Sequence, residues 1–122
     1  MAAPNLVNIA TIYGKAATVS LSSTSATALL SNAASSGKVL KVNYIGVTNS
    51  TSSFVSITLN YYNAAAIGGT AFPMSYQISV PANATLVLLQ TPFYLEENTS
   101  LGVTAGVGSS ALSVVCSYED LS

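Results

Sequence analysis

The sequence predicts an all-β protein, an antiparallel β-sandwich or jelly roll of about eight strands with little or no helix. Several segments alternate large apolar residues with small or polar ones, which is the period of a strand with one buried face. Clusters of Ser, Thr, Asn and Gly separate these segments at short intervals, and β-branched residues are frequent within them. The 122 residues fit one domain, so we assign residues 1–122 to a single β-sandwich.

In the first third of the chain, the alternation of apolar and polar residues predicts two or three strands. Residues 6–13 and 17–21 both alternate, and Gly14 and Lys15 lie between them. Residues 26–36 are compatible with a helix capped by Ser25 and ended by Gly37, or with a strand from 27 to 31 followed by a loop. The abundance of strands elsewhere favours the strand.

The rest of the chain predicts three hairpins, because turn residues separate each pair of strand-like segments. Residues 72–80 alternate regularly, which predicts one buried face, and the apolar run at 85–90 is typical of a strand covered on both sides. The three predicted pairs are 38–48 with 53–61 through the polar cluster 49–52, 72–80 with 85–90 through 81–83, and 101–105 with 112–118 through the glycine-containing turn 106–109.

Charged side chains are unusually rare. The chain has three Lys, four Asp or Glu, and no His or Trp, whereas Asp, Glu, Lys and Arg make up about a quarter of an average soluble domain. A surface of Ser, Thr, Asn, Gly, Ala and Tyr can lie against another protein without desolvating ions, which predicts a subunit of an assembly.

The charges also separate by sign along the chain. All lysines lie within the first 41 residues, and all acids lie from Glu96 onward. We therefore expect the N-terminal part of one copy to meet the C-terminal part of a neighbour. The candidate interface residues are Lys38, Lys41, Tyr62, Glu96, Glu97, Glu119 and Asp120.

The residues offer little for catalysis. Without His, no side chain titrates near neutrality at its ordinary pKa, and the carboxylate doublets at 96–97 and 119–120 are interpreted as a solvated turn and a chain end. Cys116 is in register with Leu112 and Val114, so we expect a core thiol without an activating base. We predict no catalytic, cofactor or metal site, and hence no enzyme.

Two classes of partner are also predicted to be absent. The net charge is −1 and no basic stripe exists, which disfavours nucleic-acid binding. The longest apolar run is far shorter than the ~20 residues of a membrane-spanning helix. We therefore expect neither nucleic acid nor a membrane as a partner.

Five segments distributed over nearly the whole chain carry a resemblance to a known family. They are residues 28–32, 36–42, 78–86, 94–101 and 114–121, and they include Val-Pro-Ala-Asn-Ala at 80–84 and Leu-Glu-Glu-Asn-Thr-Ser-Leu at 95–101. These segments resemble small β-sandwich virion structural proteins of tailed bacteriophages, notably those that infect cyanobacteria. Relatives tend to carry Gly-Asp in the last turn, where this chain has Asn98 and Thr99.

The resemblance implies a non-enzymatic virion protein, first of all a capsid cement or decoration subunit that stabilises the head by bridging neighbouring shell proteins. Its implied partners are the major capsid protein or other virion proteins, together with further copies of itself, and we expect a trimer. Its implied location is the virion, assembled in the cytoplasm of the bacterial host. A tail, neck or fibre subunit and a carbohydrate- or receptor-binding β-sandwich module remain as alternatives.

Overall fold

The computed structural model describes residues 6–108 and 112–122. Within these residues the chain forms nine β-strands and a short 3-10 helix at Leu6–Asn8, without an α-helix. The predicted all-β class is therefore confirmed. The strands are β1 (Ile12–Leu21), β2 (Thr27–Asn32), β3 (Val39–Asn49), β4 (Val55–Ala64), β5 (Gly68–Val80), β6 (Ala84–Leu89), β7 (Phe93–Leu95), β8 (Thr99–Ala105) and β9 (Leu112–Leu121).

The strands form two antiparallel sheets. The first sheet has the order β1-β9-β3-β6, with β7 also paired to β3, and the second has the order β2-β8-β4-β5. Strands β6 and β7 pair with different parts of β3, so together they act as one interrupted strand. Counted in this way, successive strands alternate between the two sheets except at β4 and β5, which is the strand order of a jelly roll.

The three predicted hairpins are wrong. In each predicted pair, β3 with β4, β5 with β6 and β8 with β9, the two strands belong to different sheets. The turn residues reverse the chain as expected, but they carry it across the roughly 10 Å between the sheets instead of back along the same sheet. Ser109 of the third predicted turn lies outside the described residues. A hairpin does join β4 to β5 through residues 65–67, where Ala66 and Ile67 adopt φ angles of 56° and 50°.

The N-terminal third agrees with one prediction and contradicts another. The strand expected at 27–31 is present as β2. The segments expected at 6–13 and 17–21 are not separate strands, because β1 runs through Gly14 and Lys15 and pairs with β9 without a break from Ile12 to Leu21. This long ladder holds the chain extended at Gly14. The first segment is strand only from Ile12 onward, and Leu6–Asn8 form a 3-10 helix.

Strands β5 and β6 are less covered than the sequence predicted. β5 is an edge strand in which Val80 is the one buried residue among the 13 that the structure describes. Register shifts opposite β4 and a positive φ of 47° at Gln77 interrupt its alternation. Strand β6 lies at the edge of the other sheet. From Ala84 to Leu88 its half-buried and exposed residues alternate, so it is covered on one side instead of two.

The core lies between the two sheets. Its largest fully buried side chains include Leu21, Ile45, Ile57, Leu59, Leu95, Leu101 and Leu112. Burying each of these stabilises the fold by about 1.5–3 kcal/mol. The alternation that the sequence shows in β3, β4 and β9 is the inward face of this core, so the outward faces and the two ends of the sandwich remain available for function.

Candidate assembly surfaces

All seven charged side chains lie at one end of the sandwich, which we call the charged end. In the first sheet, Lys41 pairs with Glu119, and Leu40 pairs with Asp120. Lys15 of β1 pairs with Tyr118 of β9, the neighbour of Glu119. The turn at 96–98 belongs to the same end, because the Glu97 carboxylate accepts a hydrogen bond of 2.6 Å from the backbone N–H of Gly37. Strand pairing thus gathers charges that are far apart in sequence.

Asp120 is the centre of this arrangement. Its side chain is 5% exposed, and its Oδ2 lies 3.0 Å from Nζ of Lys15 and 3.1 Å from Nζ of Lys38. Burial of the carboxyl opposes ionisation, but the hydrogen bonds from the two lysines outweigh it, so the pKa of Asp120 lies below its ordinary value. The hydrogen bond to Asp120 raises the pKa of Lys15. A weaker pair joins Lys41 to Glu119 at 3.8 Å.

The predicted interface residues therefore meet one another inside a single chain. Lys38, Lys41, Glu119 and Asp120 all have ionic partners within the chain, and their place in an interface between copies stays a prediction. Sequence reasoning missed Lys15, whose proximity to Asp120 depends on the pairing of the first and last strands. No signal near Lys15 in the sequence could have shown this.

The remaining three predicted residues differ in what they expose. Glu96 is exposed and Glu97 is half-buried. Tyr62 is only 7% exposed, because its ring lies over Gly102, where an added Cβ would come within 2.8 Å of both Tyr62 and Ile67. Tyr62 therefore offers little surface to a partner.

A depression of about 260 Å³ lies beside the buried aspartate. Its lining combines the three ionic groups with neutral polar side chains, namely Lys15, Lys38, Asp120, Asn32, Ser36 and Tyr118. We call this depression the lysine pocket. It is smaller than the 300–1,000 Å³ typical of pockets for small-molecule ligands.

One buried asparagine fixes the loops around this pocket. Asn32 ends β2, and its Nδ2 donates hydrogen bonds of 2.9 Å to the carbonyl oxygens of Lys38 and Leu95. Its Oδ1 accepts a hydrogen bond from the Ser36 hydroxyl. The asparagine thereby ties the loop at 33–38 to β7 and holds Lys38 beside Asp120.

The opposite end, which we call the uncharged end, consists of the loops at 22–26, 50–54 and 81–83 and the described part of the loop that begins at 106. These loops are rich in Ser and Thr and contain no Lys, Arg, Asp or Glu. Phe54 is 71% exposed and Val107 is 46% exposed. The end therefore combines hydroxyl groups with two apolar side chains that a partner could cover without desolvating an ion.

A second buried asparagine supports the uncharged end. Asn49 donates hydrogen bonds to the carbonyl oxygens of Ser53 at 2.8 Å and Val80 at 3.1 Å. Its Oδ1 accepts from both the backbone N–H and the hydroxyl of Thr51, at 2.9 and 2.7 Å. The side chain, at the end of β3 in the first sheet, thus joins the loop at 50–54 to the end of β5 in the second sheet.

The middle of the outward face of the first sheet carries no charged side chain. Register places Thr18, Val115 and Gly46 side by side in its middle. The Tyr44 ring lies along the strand over Gly46, in the space that a Cβ would occupy. Toward the charged end the same face carries Lys41, which pairs with Glu119 and with the exposed Tyr94. Exposed residues of this face are Gly14, Ala16, Thr18, Ser20, Thr48, Thr85, Val87, Ser113, Val115 and Ser117. We call them the sheet face.

Cys116 lies on the other side of the same strand, in the core. It is fully buried, as its register predicted, and burial raises the pKa of its thiol to about 11. A thiol that is both inaccessible and protonated does not react as a nucleophile or exchange with disulfides.

Comparisons with known proteins give a likeness in fold. No protein-family model matches the chain, and no curated protein matches it. One solved structure, from Bacillus, is described with the words "Bacillus endospore appendages form a novel family of disulfide-linked pili". It is 13% identical, has a TM-score of 0.51, and the match covers 100% of this chain and 96% of that one. At this identity the likeness extends to the jelly-roll fold alone.

In the part of the chain that the structure describes, no helix is long and apolar enough to cross a membrane. The same residues contain no group of three or more His, Cys, Asp or Glu side chains placed to hold a metal ion.

Proposed function

We propose that this chain is a non-enzymatic structural subunit that works in a many-copy assembly. The observation that carries the proposal is the gathering of all seven charges at one end, where most of them pair with one another. The middle of the sheet face and the uncharged end are left without ionic groups, whereas the pair of Lys41 and Glu119 lies at the edge of the sheet face, beside Gly14. Neighbouring subunits can cover these surfaces without the desolvation cost of burying a charge.

The assembly that we favour is a phage particle, with the chain as a capsid cement or decoration subunit that bridges neighbouring shell proteins. Its support is the resemblance of the segments at 28–32, 36–42, 78–86, 94–101 and 114–121 to virion structural proteins. A repeated array also suits weak contacts, because each subunit is held by several neighbours at once.

A filament subunit is the second candidate. The described pilus protein shares the fold over the whole length of this chain, which favours such an assembly. Its described disulfide links have no counterpart here, because Cys116 is the one cysteine of the sequence and is fully buried. A filament of this chain would therefore be held by noncovalent contacts and would dissociate equally with and without a reducing agent.

The test places charge in the middle of the sheet face. Thr18→Lys combined with Val115→Lys adds two ammonium groups at positions that face solvent and pair directly. The matched control carries Thr70→Lys and Ser79→Lys, two exposed positions of β5 in the other sheet. Both variants should keep their free energy of unfolding within about 1 kcal/mol of the wild type.

The readout is the copy number of each variant in particles purified by sedimentation, measured by quantitative mass spectrometry. We expect the wild type and the control in high copy and the sheet-face variant in the soluble fraction. A copy number comparable with that of a shell protein supports cement, whereas a few copies support a tail or fibre subunit. A wild type that never sediments with any particle or filament would overturn the proposal.

A further inference from the structure

The lysine pocket holds more positive than negative charge. Lys15 and Lys38 share the single carboxylate of Asp120, so two ammonium groups face one acid. Each lysine side chain is 44% exposed, and an ammonium group has three donors, of which the bond to Asp120 uses one. The pocket can therefore accept one more carboxylate and become neutral.

The same end carries an excess of negative charge outside the pocket. Glu97 directs its carboxylate to the backbone N–H of Gly37. Glu96 is exposed, and among the described residues its carboxylate forms no ion pair. The backbone carbonyl of Glu96 accepts a hydrogen bond of 2.7 Å from Thr99, which fixes the turn that presents the side chain.

We infer that the lysine pocket receives the Glu96 carboxylate of a second copy of this chain. Two ammonium groups and two carboxylates then form a neutral network, and one wall of the pocket already shields Asp120 from water. Ion pairs in such partly covered networks contribute more than isolated surface pairs. The inference rests on the proposed function, since it supposes that copies of the chain lie side by side.

A two-fold axis between two copies would form this contact twice. Because Glu96 and the lysine pocket belong to the same end of the sandwich, two copies that meet around a two-fold axis can place each Glu96 in the other copy's pocket. The contact closes on itself and leaves the sheet face and the uncharged end free for other neighbours.

The experiment is a charge-neutralising double-mutant cycle on the full chain. Lys38→Met removes the excess positive charge and keeps the bond between Lys15 and Asp120, whereas Glu96→Gln removes the incoming carboxylate. Analytical ultracentrifugation measures the dimer dissociation constant of each variant. We expect each single change to raise it about tenfold, and the double variant to show about the same tenfold rise instead of a hundredfold one.

The control is Lys41→Met, which removes a lysine from the same end but outside the pocket, and it should change the dissociation constant less than about twofold. If the wild type and both single variants have the same dimer dissociation constant, or if the two effects in the cycle simply add, the inference is overturned and the proposed function still stands. A wild type that stays monomeric also overturns it. In that case acetate binding by the monomer, followed by NMR, would assign the pocket to a free carboxylate instead.

Discussion

At each end of the sandwich one buried asparagine fixes the loops, Asn32 at the charged end and Asn49 at the uncharged end. Both are almost fully buried, and each donates two hydrogen bonds to backbone carbonyl groups, one in the adjoining loop and one in a distant segment. The two ends thus share a device for holding loops but differ in what those loops display. One displays ions that largely neutralise each other, and the other displays hydroxyl groups around Phe54 and Val107. The buried asparagines that hold the loops and the side chains that the loops expose are therefore separable features of this fold.

The largest expected effect on stability follows from removing the side chain of either loop-holding asparagine, Asn32 or Asn49. Asn49→Ala and Asn32→Ala each remove two hydrogen bonds to backbone carbonyl groups, one of them buried, at Val80 and at Leu95. We therefore expect each to lower the free energy of unfolding by about 2–4 kcal/mol. Urea denaturation followed by circular dichroism measures both values. Asn63→Ala is the control, because Asn63 is exposed and its side chain receives one hydrogen bond, from Thr70. A loss of stability in only one of these two variants would show that Asn32 and Asn49 are not equivalent.

A smaller effect separates the ends by their response to acid. The pKa of Asp120 is lowered in the folded state, so its ionised form stabilises the protein above the unfolded pKa of about 4. That contribution is lost as the pH falls through the lowered folded pKa. Asp120→Asn should cost roughly 1 kcal/mol at pH 7 and should flatten the decline in stability below about pH 4.

Measuring denaturation midpoints from pH 7 to strongly acidic pH checks this. Neutral substitutions at the uncharged end, such as Thr51→Val, should shift the whole curve without changing its slope in acid. An unaltered acid slope in Asp120→Asn would show that the aspartate does not link folding to pH.

The smallest effect is expected at the exposed ion pair. Lys41 and Glu119 are 3.8 Å apart, and their side chains are 30% and 38% exposed. Lys41→Met or Glu119→Gln should change the free energy of unfolding by less than about 0.5 kcal/mol. A loss comparable with that of Asp120→Asn would mean that the charged end acts as one coupled network instead of a buried centre with a weak outer pair.

The strands could be predicted from the sequence because alternation reports on one chain segment and its buried face. The hairpins could not, because the clusters at 49–52 and 81–83 show that the chain reverses without showing which sheet the next strand joins. Asn49 illustrates the difference. It looks like a turn residue in the sequence, and in the fold its side chain joins the loop at 50–54 to the end of β5.

The charged end was partly predictable for a similar reason. Counting charges identified an uncharged surface, but the sequence suggested that lysines and acids meet between copies. Their first partners are within the chain, since pairing of β1, β3 and β9 brings Lys15, Lys38 and Asp120 together across 105 and 82 positions. Such distances are invisible to any local pattern.

The ladder between β1 and β9 also sets the order of events during synthesis. The first strand lies at the edge of its sheet, and its partner in that sheet is the last strand. β1 must therefore wait for nearly the whole chain before it can pair, and contacts of such long separation slow folding. The sheet face, to which both strands contribute, does not exist on a partly made chain. Association through that face is consequently restricted to finished subunits.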